Sequence, residues 1–231
     1  MRQFLLPLCL LISGILNAQH SPQEIKQFKI SKIIMQSVSS DAPTSIEKYD
    51  TRYDRNGNET AGYIDGTQYT KYVNQYDESG RLIKIIDYSM PGPGTEIASA
   101  SVFTYNTDGS STSKTTHPSF NTIEYKWYDK NGRITKTMSA ENIEEFYTYD
   151  AAGKLISIKT KPGTTEGDLA DFKYIYNTKG QRIKEISGGS YPWTRTYTYD
   201  AKGVLIKRLT VASEEGVTTK TTDTYKYEFW K

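Results

Sequence analysis

The stretch Tyr147–Lys159, YTYDAAGKLISIK, decides the fold. Tyr147 and Tyr149 alternate with Thr148, Asp150 opens a turn, Gly153 closes it, and a second extended run leaves through Leu155, Ile156 and Ile158. Alternation at period two marks a half-buried strand. Asp and Gly at these offsets mark a tight reversal, because the carboxylate can bond amides two residues on while glycine accepts the left-handed conformation that ends the loop. The stretch is therefore a β-hairpin, with a type I turn and a bulge glycine as its expected form.

The signature, Tyr then Asp or Asn, two variable residues and Gly, occurs seven times: Tyr53–Gly57, Tyr76–Gly80 with Asp77, Tyr105–Gly109, Tyr128–Gly132 with Asp129, Tyr149–Gly153 with Asp150, Tyr176–Gly180 and Tyr199–Gly203 with Asp200. Gly-to-Gly spacings run 23, 29, 23, 21, 27 and 23. Such a recurrence marks a repeat architecture. Two residues before each signature Tyr stand Thr51, Asn74, Phe103, Lys126, Tyr147, Tyr174 and Tyr197, and Tyr225 precedes Tyr227 in a last, unturned copy. The residues between are mainly polar: Arg52, Gln75, Thr104, Trp127, Thr148, Ile175, Thr198 and Lys226. One mostly aromatic face is therefore expected in the core.

After the glycines the pattern is less clean. Leu82, Ile134, Leu155 and Leu205 share a parity with Lys84, Lys136 and Lys207, while Ile83, Ile156, Ile183 and Ile206 take the other. This implies one main buried face, with covering or curvature on the second. Phe28–Val38 reads as a leading second strand whose partner is lost, Ser39–Pro43 as a linker, and Thr221–Trp230 as the closing edge. Loops fall at Pro91–Gly94, His117–Ser119, Lys161–Gly167 and Gly188–Pro192, and the copy at Tyr105, followed by Ser110–Ser113, is the expected seam. No long window holds a 3.6-residue period, so no sustained helix is expected, and His20–Glu24 reads as a loose start. The expected fold is all-β: an antiparallel hairpin meander forming one long twisted or curled sheet of roughly 14–16 strands.

Aromatic content of 13%, most of it in nineteen tyrosines, marks an ordered chain. Residues 1–18 have the form of a signal peptide, with Arg2, the apolar run Phe4–Ile15 and a cleavage site after Ala18. The expected organisation is thus a signal peptide at 1–18, an N-terminal segment with its leading strand at 19–50, and the hairpin array at 51–231. Cleavage would remove Cys9, the only cysteine, and leave 28 basic against 27 acidic residues. That balance gives no electrostatic footprint for nucleic acid. Nothing after residue 18 has the length of a transmembrane helix.

At YTYDAAGKLISIK and YTYDAKGVLIKRL the chain resembles the YD-repeat, or Rhs-repeat, family of bacterial cell-surface and secreted proteins. The resemblance covers Thr51 to Tyr227 and is poorest at Tyr105–Ser113. Large members of that family spiral their repeats into a hollow shell, often around a toxic C-terminal domain, and some are described as binding carbohydrate or heparin. Seven copies are few for such a shell and no cargo domain follows Tyr227, so the resemblance implies a hairpin array in an exported setting, without encapsulation.

Catalytic chemistry has little to draw on. The histidines are His20 and His117, and no nucleophile-elbow motif accompanies them. The recurring turn acids suggest calcium at Asp54–Glu59 and Asp129–Arg133, but both segments lack the further spaced acids that six to eight oxygen ligands require. No cofactor or metal site is expected. Candidate ligand contacts are aromatic: Trp127, which replaces a polar residue on the solvent parity, and Tyr191 with Trp193 in a Gly/Pro-rich loop. Exposed rings of this kind stack on sugars or anchor partners. The expected function is a non-enzymatic exported scaffold, extracellular, cell-surface or periplasmic, that binds a protein or a surface glycan. An outer-membrane β-barrel is the alternative.

Overall fold

The computed structural model describes residues 22–89, 96–161, 171–188, 192–214 and 216–231. The signal-peptide region, Tyr191 and most of the expected loops at 91–94, 161–167 and 188–192 lie outside the described residues. A short helix, α1 (Pro22–Gln27), precedes sixteen strands: β1 (Ile30–Ser39), β2 (Ala42–Tyr53), β3 (Glu59–Ile64), β4 (Thr67–Tyr76), β5 (Leu82–Ser89), β6 (Ile97–Tyr105), β7 (Ser111–His117), β8 (Thr122–Tyr128), β9 (Ile134–Met138), β10 (Glu144–Tyr149), β11 (Leu155–Lys161), β12 (Phe172–Tyr176), β13 (Arg182–Ser187), β14 (Trp193–Tyr199), β15 (Leu205–Glu214) and β16 (Val217–Phe229). A single 3-10 turn, Pro118–Phe120, joins β7 to β8.

Every strand pairs antiparallel with its sequence neighbours, and the meander closes into a barrel through β1 and β16. The expected long twisted or curled sheet is corrected to a closed barrel. The partner that Phe28–Val38 lacks in sequence is supplied by the last strand, with Ile33 opposite Tyr227 and Met35 opposite Tyr225. The termini thus complete an eighth hairpin that has no turn. Ile30 and Ile33, together with Tyr49, Tyr53, Tyr197, Leu205 and Tyr225, form the buried core beside this closure, and Ile25 of α1 packs into the same cluster.

The turns take the expected form. Gly153 and Gly180 sit at φ +81° and +83°, and each closes back on its Asp or Asn carbonyl. Asp150 Oδ1 accepts the amides of Ala152 (3.0 Å) and Lys154 (2.8 Å), and the equivalent oxygen of Asn177 accepts those of Lys179 (3.0 Å) and Gln181 (2.9 Å). These bonds explain why Asp and Asn interchange at this position. The row of acids is spent on its own turns.

One feature of the second strands corrects the parity reading. In six copies the register slips by one residue just past the turn, as where Tyr199 faces Leu205 but Thr198 faces Lys207. The unpaired residue, Ile206 there and Ile83, Ile156 or Ile183 in other copies, is a β-bulge that resets the alternation. Leu205 and Arg208 therefore both point inward, at 1% and 5% exposure, while Ile206 is 40% exposed. Lys84, Lys136 and Lys207 lie on the outer wall, opposite the face expected of them. The second apolar row is uncovered, and the curvature belongs to the closed barrel.

The copy at Tyr105 is not the seam. β6 and β7 pair over six positions without a bulge, because ladder bonds come from the backbone and the polar replacements find partners of their own, as in Ser101 to Thr115 at 2.8 Å. The shortest ladder joins β11 and β12, with two described pairs, Ser157 to Lys173 and Ile158 to Phe172.

Successive hairpins are fastened by the signature tyrosines. The hydroxyls of Tyr105, Tyr149, Tyr176, Tyr199 and Tyr227 donate to the carbonyls of Leu82, Ile134, Leu155, Arg182 and Leu205, each in the preceding repeat, at 2.7–2.8 Å. At three of these joints the cation that follows the preceding glycine lies over the same ring: Arg81 over Tyr105 and Arg133 over Tyr149 at 4.8 Å, Lys154 over Tyr176 at 5.7 Å. Those side chains also cross the next turn so closely that a Cβ on Gly153 would stand 2.8 Å from Arg133 Nη1, and one on Gly180 would stand 3.0 Å from Lys154 Nζ. Glycine is thus required both by the positive φ and by the neighbouring repeat.

Two expectations follow. Tyr176→Phe leaves the half-buried Leu155 carbonyl without its donor and should lower unfolding free energy by about 1 kcal/mol in urea titrations, with native circular dichroism. Side-chain hydrogen bonding from Ser79, followed by bonds from Arg81, holds the Asp77 carboxyl well below its ordinary value of 3.8. A depressed folded-state pKa contributes stability above the unfolded value that is lost as pH falls through the folded one. Asp77→Asn, which keeps an amide-accepting oxygen, should therefore flatten the decline of the urea midpoint as pH is lowered from about 5 to about 2.

Candidate functional site

The closed barrel sorts a nearly neutral chain into two unlike walls. On the outside, Lys84, Lys136, Lys184 and Lys207 stand one residue past the bulges, joined by Arg52, Lys71, Lys114, Lys159, Lys173 and Lys226 from neighbouring strands. The outward strand carboxylates Asp50, Glu144 and Glu228 already hold cations: Lys32 lies 3.0 Å from both Asp50 and Glu228, and Lys136 pairs with Glu144.

Other carboxylates face the lumen and are consumed there. Asp223 accepts from Arg208 Nε at 2.6 Å, Glu185 accepts from the Tyr197 hydroxyl with Arg195 at 3.7 Å, and Glu145 accepts from Tyr147 at 2.7 Å and Thr137 at 3.0 Å. Lys126, Arg182, Arg195 and Arg208 are the inward cations of these strands. Composition alone missed this separation, because a net charge is blind to which wall carries it.

Trp127 projects outward as expected, because its neighbour Tyr128 takes the inward parity. Its ring lies 5.9 Å from that of Tyr125, and Lys136 Nζ stands 5.0 Å from the Trp127 centroid and 5.5 Å from that of Phe146. Register places Trp127 opposite Lys136, Lys136 opposite Phe146, and Phe146 opposite Lys159. Aromatic and ammonium groups therefore alternate around the wall at steps of about 4.8 Å, the spacing between strands. Lys114 faces Tyr125 on the next row. Phe146 is 40% exposed, so the strip is open to solvent.

Trp193 does not join it. It is the first residue of β14 and faces the lumen, with the Arg195 guanidinium 3.9 Å over its ring and Phe172 at 5.9 Å. Trp127 and Trp193 thus lie on opposite faces of the sheet. The partners of Trp127, namely Lys136, Phe146 and Lys159, went unnoticed in the sequence because they come from three other strands and are aligned only by the bulges.

His117 faces the lumen, its Nε2 3.6 Å from Glu124 Oε1, and burial pushes the nearby Asp87 carboxyl up. Among the described residues no group of three or more His, Cys, Asp or Glu side chains could hold a metal ion. No helix among the described residues is long and apolar enough to cross a membrane.

The Teneurin YD-shell family model matches residues 98–210. No curated protein matches the chain. Similar solved structures include a porin-like protein from Bacteroides uniformis, 13% identical with a TM-score of 0.41, covering 86% of this chain and 98% of that one. The complex TcdB2-TccC3-Cdc42 is 12% identical with a TM-score of 0.32, and TcdB2-TccC3 without its hypervariable C-terminal region is 14% identical at 0.32; each covers 78% of this chain, which spans 13% of theirs. Likenesses this distant carry no argument about function. The matched repeats are continued upstream by Tyr53–Gly57 and Tyr76–Gly80, which close with the same turn bonds, so repeats of the type matched at residues 98–210 extend over most of the barrel.

Proposed function

We propose that the protein is an exported, non-enzymatic barrel that docks an anionic surface glycan along its outer wall, centred on Trp127, Lys136, Phe146 and Lys159. The observation that carries this reading is the alternation of ring and ammonium along one row of the sheet. Flat rings stack on sugar faces, and ammonium groups between them meet carboxylate or sulfate. A protein partner would favour a broader apolar patch than this strip offers. Export rests on the signal-peptide form of residues 1–18.

Against an outer-membrane barrel stand the outward cations, distributed over most strands. Each Lys or Arg on a lipid-facing wall costs about 2–4 kcal/mol at the bilayer midplane.

Retention of the mature chain on immobilised dextran sulfate and on uncharged dextran tests the proposal. Binding should be confined to the sulfated matrix, weaken as salt rises, and fall roughly tenfold in Trp127→Ala and in Lys136→Ala, an effect of about 1.4 kcal/mol. Equal retention on neutral dextran, or no loss in either variant, would falsify it. Fractionation without detergent checks the membrane alternative: mature protein that stays insoluble until detergent is added would favour the membrane barrel.

A further inference from the structure

The lumen holds a second site, on the other face of the sheet from the glycan strip. At the end rimmed by the signature turns, the walls enclose a recess of about 1410 Å³ lined by the signature tyrosines together with Leu82, Ile85, Ile134 and Leu155. Because Tyr105, Tyr149, Tyr176 and Tyr199 already donate their hydroxyls to backbone carbonyls, the wall offers ring carbons and methyl groups more than free donors. Burial holds these phenols protonated, pushing that of Tyr199 up to about 12. A concave apolar wall of this kind with a few convergent polar groups is the usual form of a small-molecule site.

Cations outnumber carboxylates in its lining by six to three, and three of the cations gather in one sector. Arg182 occupies the level at which other copies carry Leu82, Ile134, Leu155 or Leu205, with Tyr174 and Tyr197 within 5.3 and 5.4 Å of its guanidinium. Lys154 reaches across the Tyr176–Gly180 turn toward the same sector, and Lys179 is part of that turn. From above, α1 is fixed over the mouth by Ile25, 1% exposed in the core, and by the close approach of the Pro22 carbonyl to Gly57, where a Cβ would stand 2.0 Å away. Glu24 of α1 lines the recess and its charge acts on Tyr176 and Tyr199, next to the cationic sector.

We propose that this recess binds a small amphipathic anion with an aromatic body, the body against the tyrosine ring and the carboxylate or sulfonate at Lys154, Lys179 and Arg182. In that arrangement the Glu24 carboxylate competes with the ligand head group for the same cations.

The probe is 8-anilinonaphthalene-1-sulfonate, titrated by fluorescence into the folded mature chain with near-ultraviolet circular dichroism as the check on native packing. Saturable binding to one site per chain is expected, weakened several-fold by Lys154→Met and by Lys179→Glu, tightened several-fold by Glu24→Gln, and unchanged by Trp127→Ala. Thioflavin T, a cationic aromatic, should bind more weakly and respond to Lys179→Glu in the opposite direction. Non-saturating binding, equal affinity for the cationic dye, or loss of the sulfonate site in Trp127→Ala would overturn the assignment. The last of these leaves the glycan strip standing, so the two proposals fail separately.

Discussion

A phenol placed between two hairpins is the interaction on which the rest depends. Tyr105, Tyr149 and Tyr176 each belong to one repeat by their backbone and to the preceding one by their hydroxyl, while a cation from that preceding repeat covers the ring, and Tyr199 and Tyr227 make the same hydroxyl bond. A hairpin alone is marginal in water. Here each one is completed by its neighbour, so order passes along the chain from joint to joint, as in other repeat proteins where interface terms carry the stability.

The hairpins and their turns were legible because the information is local. Asp150, Gly153 and the alternation of Tyr147 and Tyr149 all act within a few residues of one another. The role of Tyr149 in holding Ile134 was not legible, since it needs the register between repeats. Closure was hidden for the same reason: Phe28–Val38 read as a strand that had lost its partner and Thr221–Trp230 as a closing edge, whereas the two pair with each other and leave no edge, and nothing local pairs segments from the two ends of the chain. Parity after the glycine failed through a single device. The bulge at Ile83, Ile156, Ile183 and Ile206 shifts every following side chain to the other wall, and a bulge leaves no composition of its own.

That shift governs the electrostatics as well. Without it Lys84, Lys136 and Lys207 would share the interior with Leu82, Ile134 and Leu205, at a prohibitive desolvation cost. With it they line the outside, and the buried cations that remain, Arg208 above all, are matched by Asp223. Of the candidate aromatics, Trp127 was readable as outward because its place in the repeat is ordinarily polar. Trp193 was read from its Gly/Pro-rich surroundings, and the strand that begins at that residue turns it inward.

The turnless eighth hairpin makes the architecture circular in space although the polypeptide is linear. In an open array, duplicating a unit lengthens the object and leaves existing contacts untouched. In this ring, a duplicated unit would enlarge the circumference by two strands and alter the curvature at every joint. Copy number therefore acts as a structural parameter, setting the diameter of the lumen in the way that residue choice sets its lining.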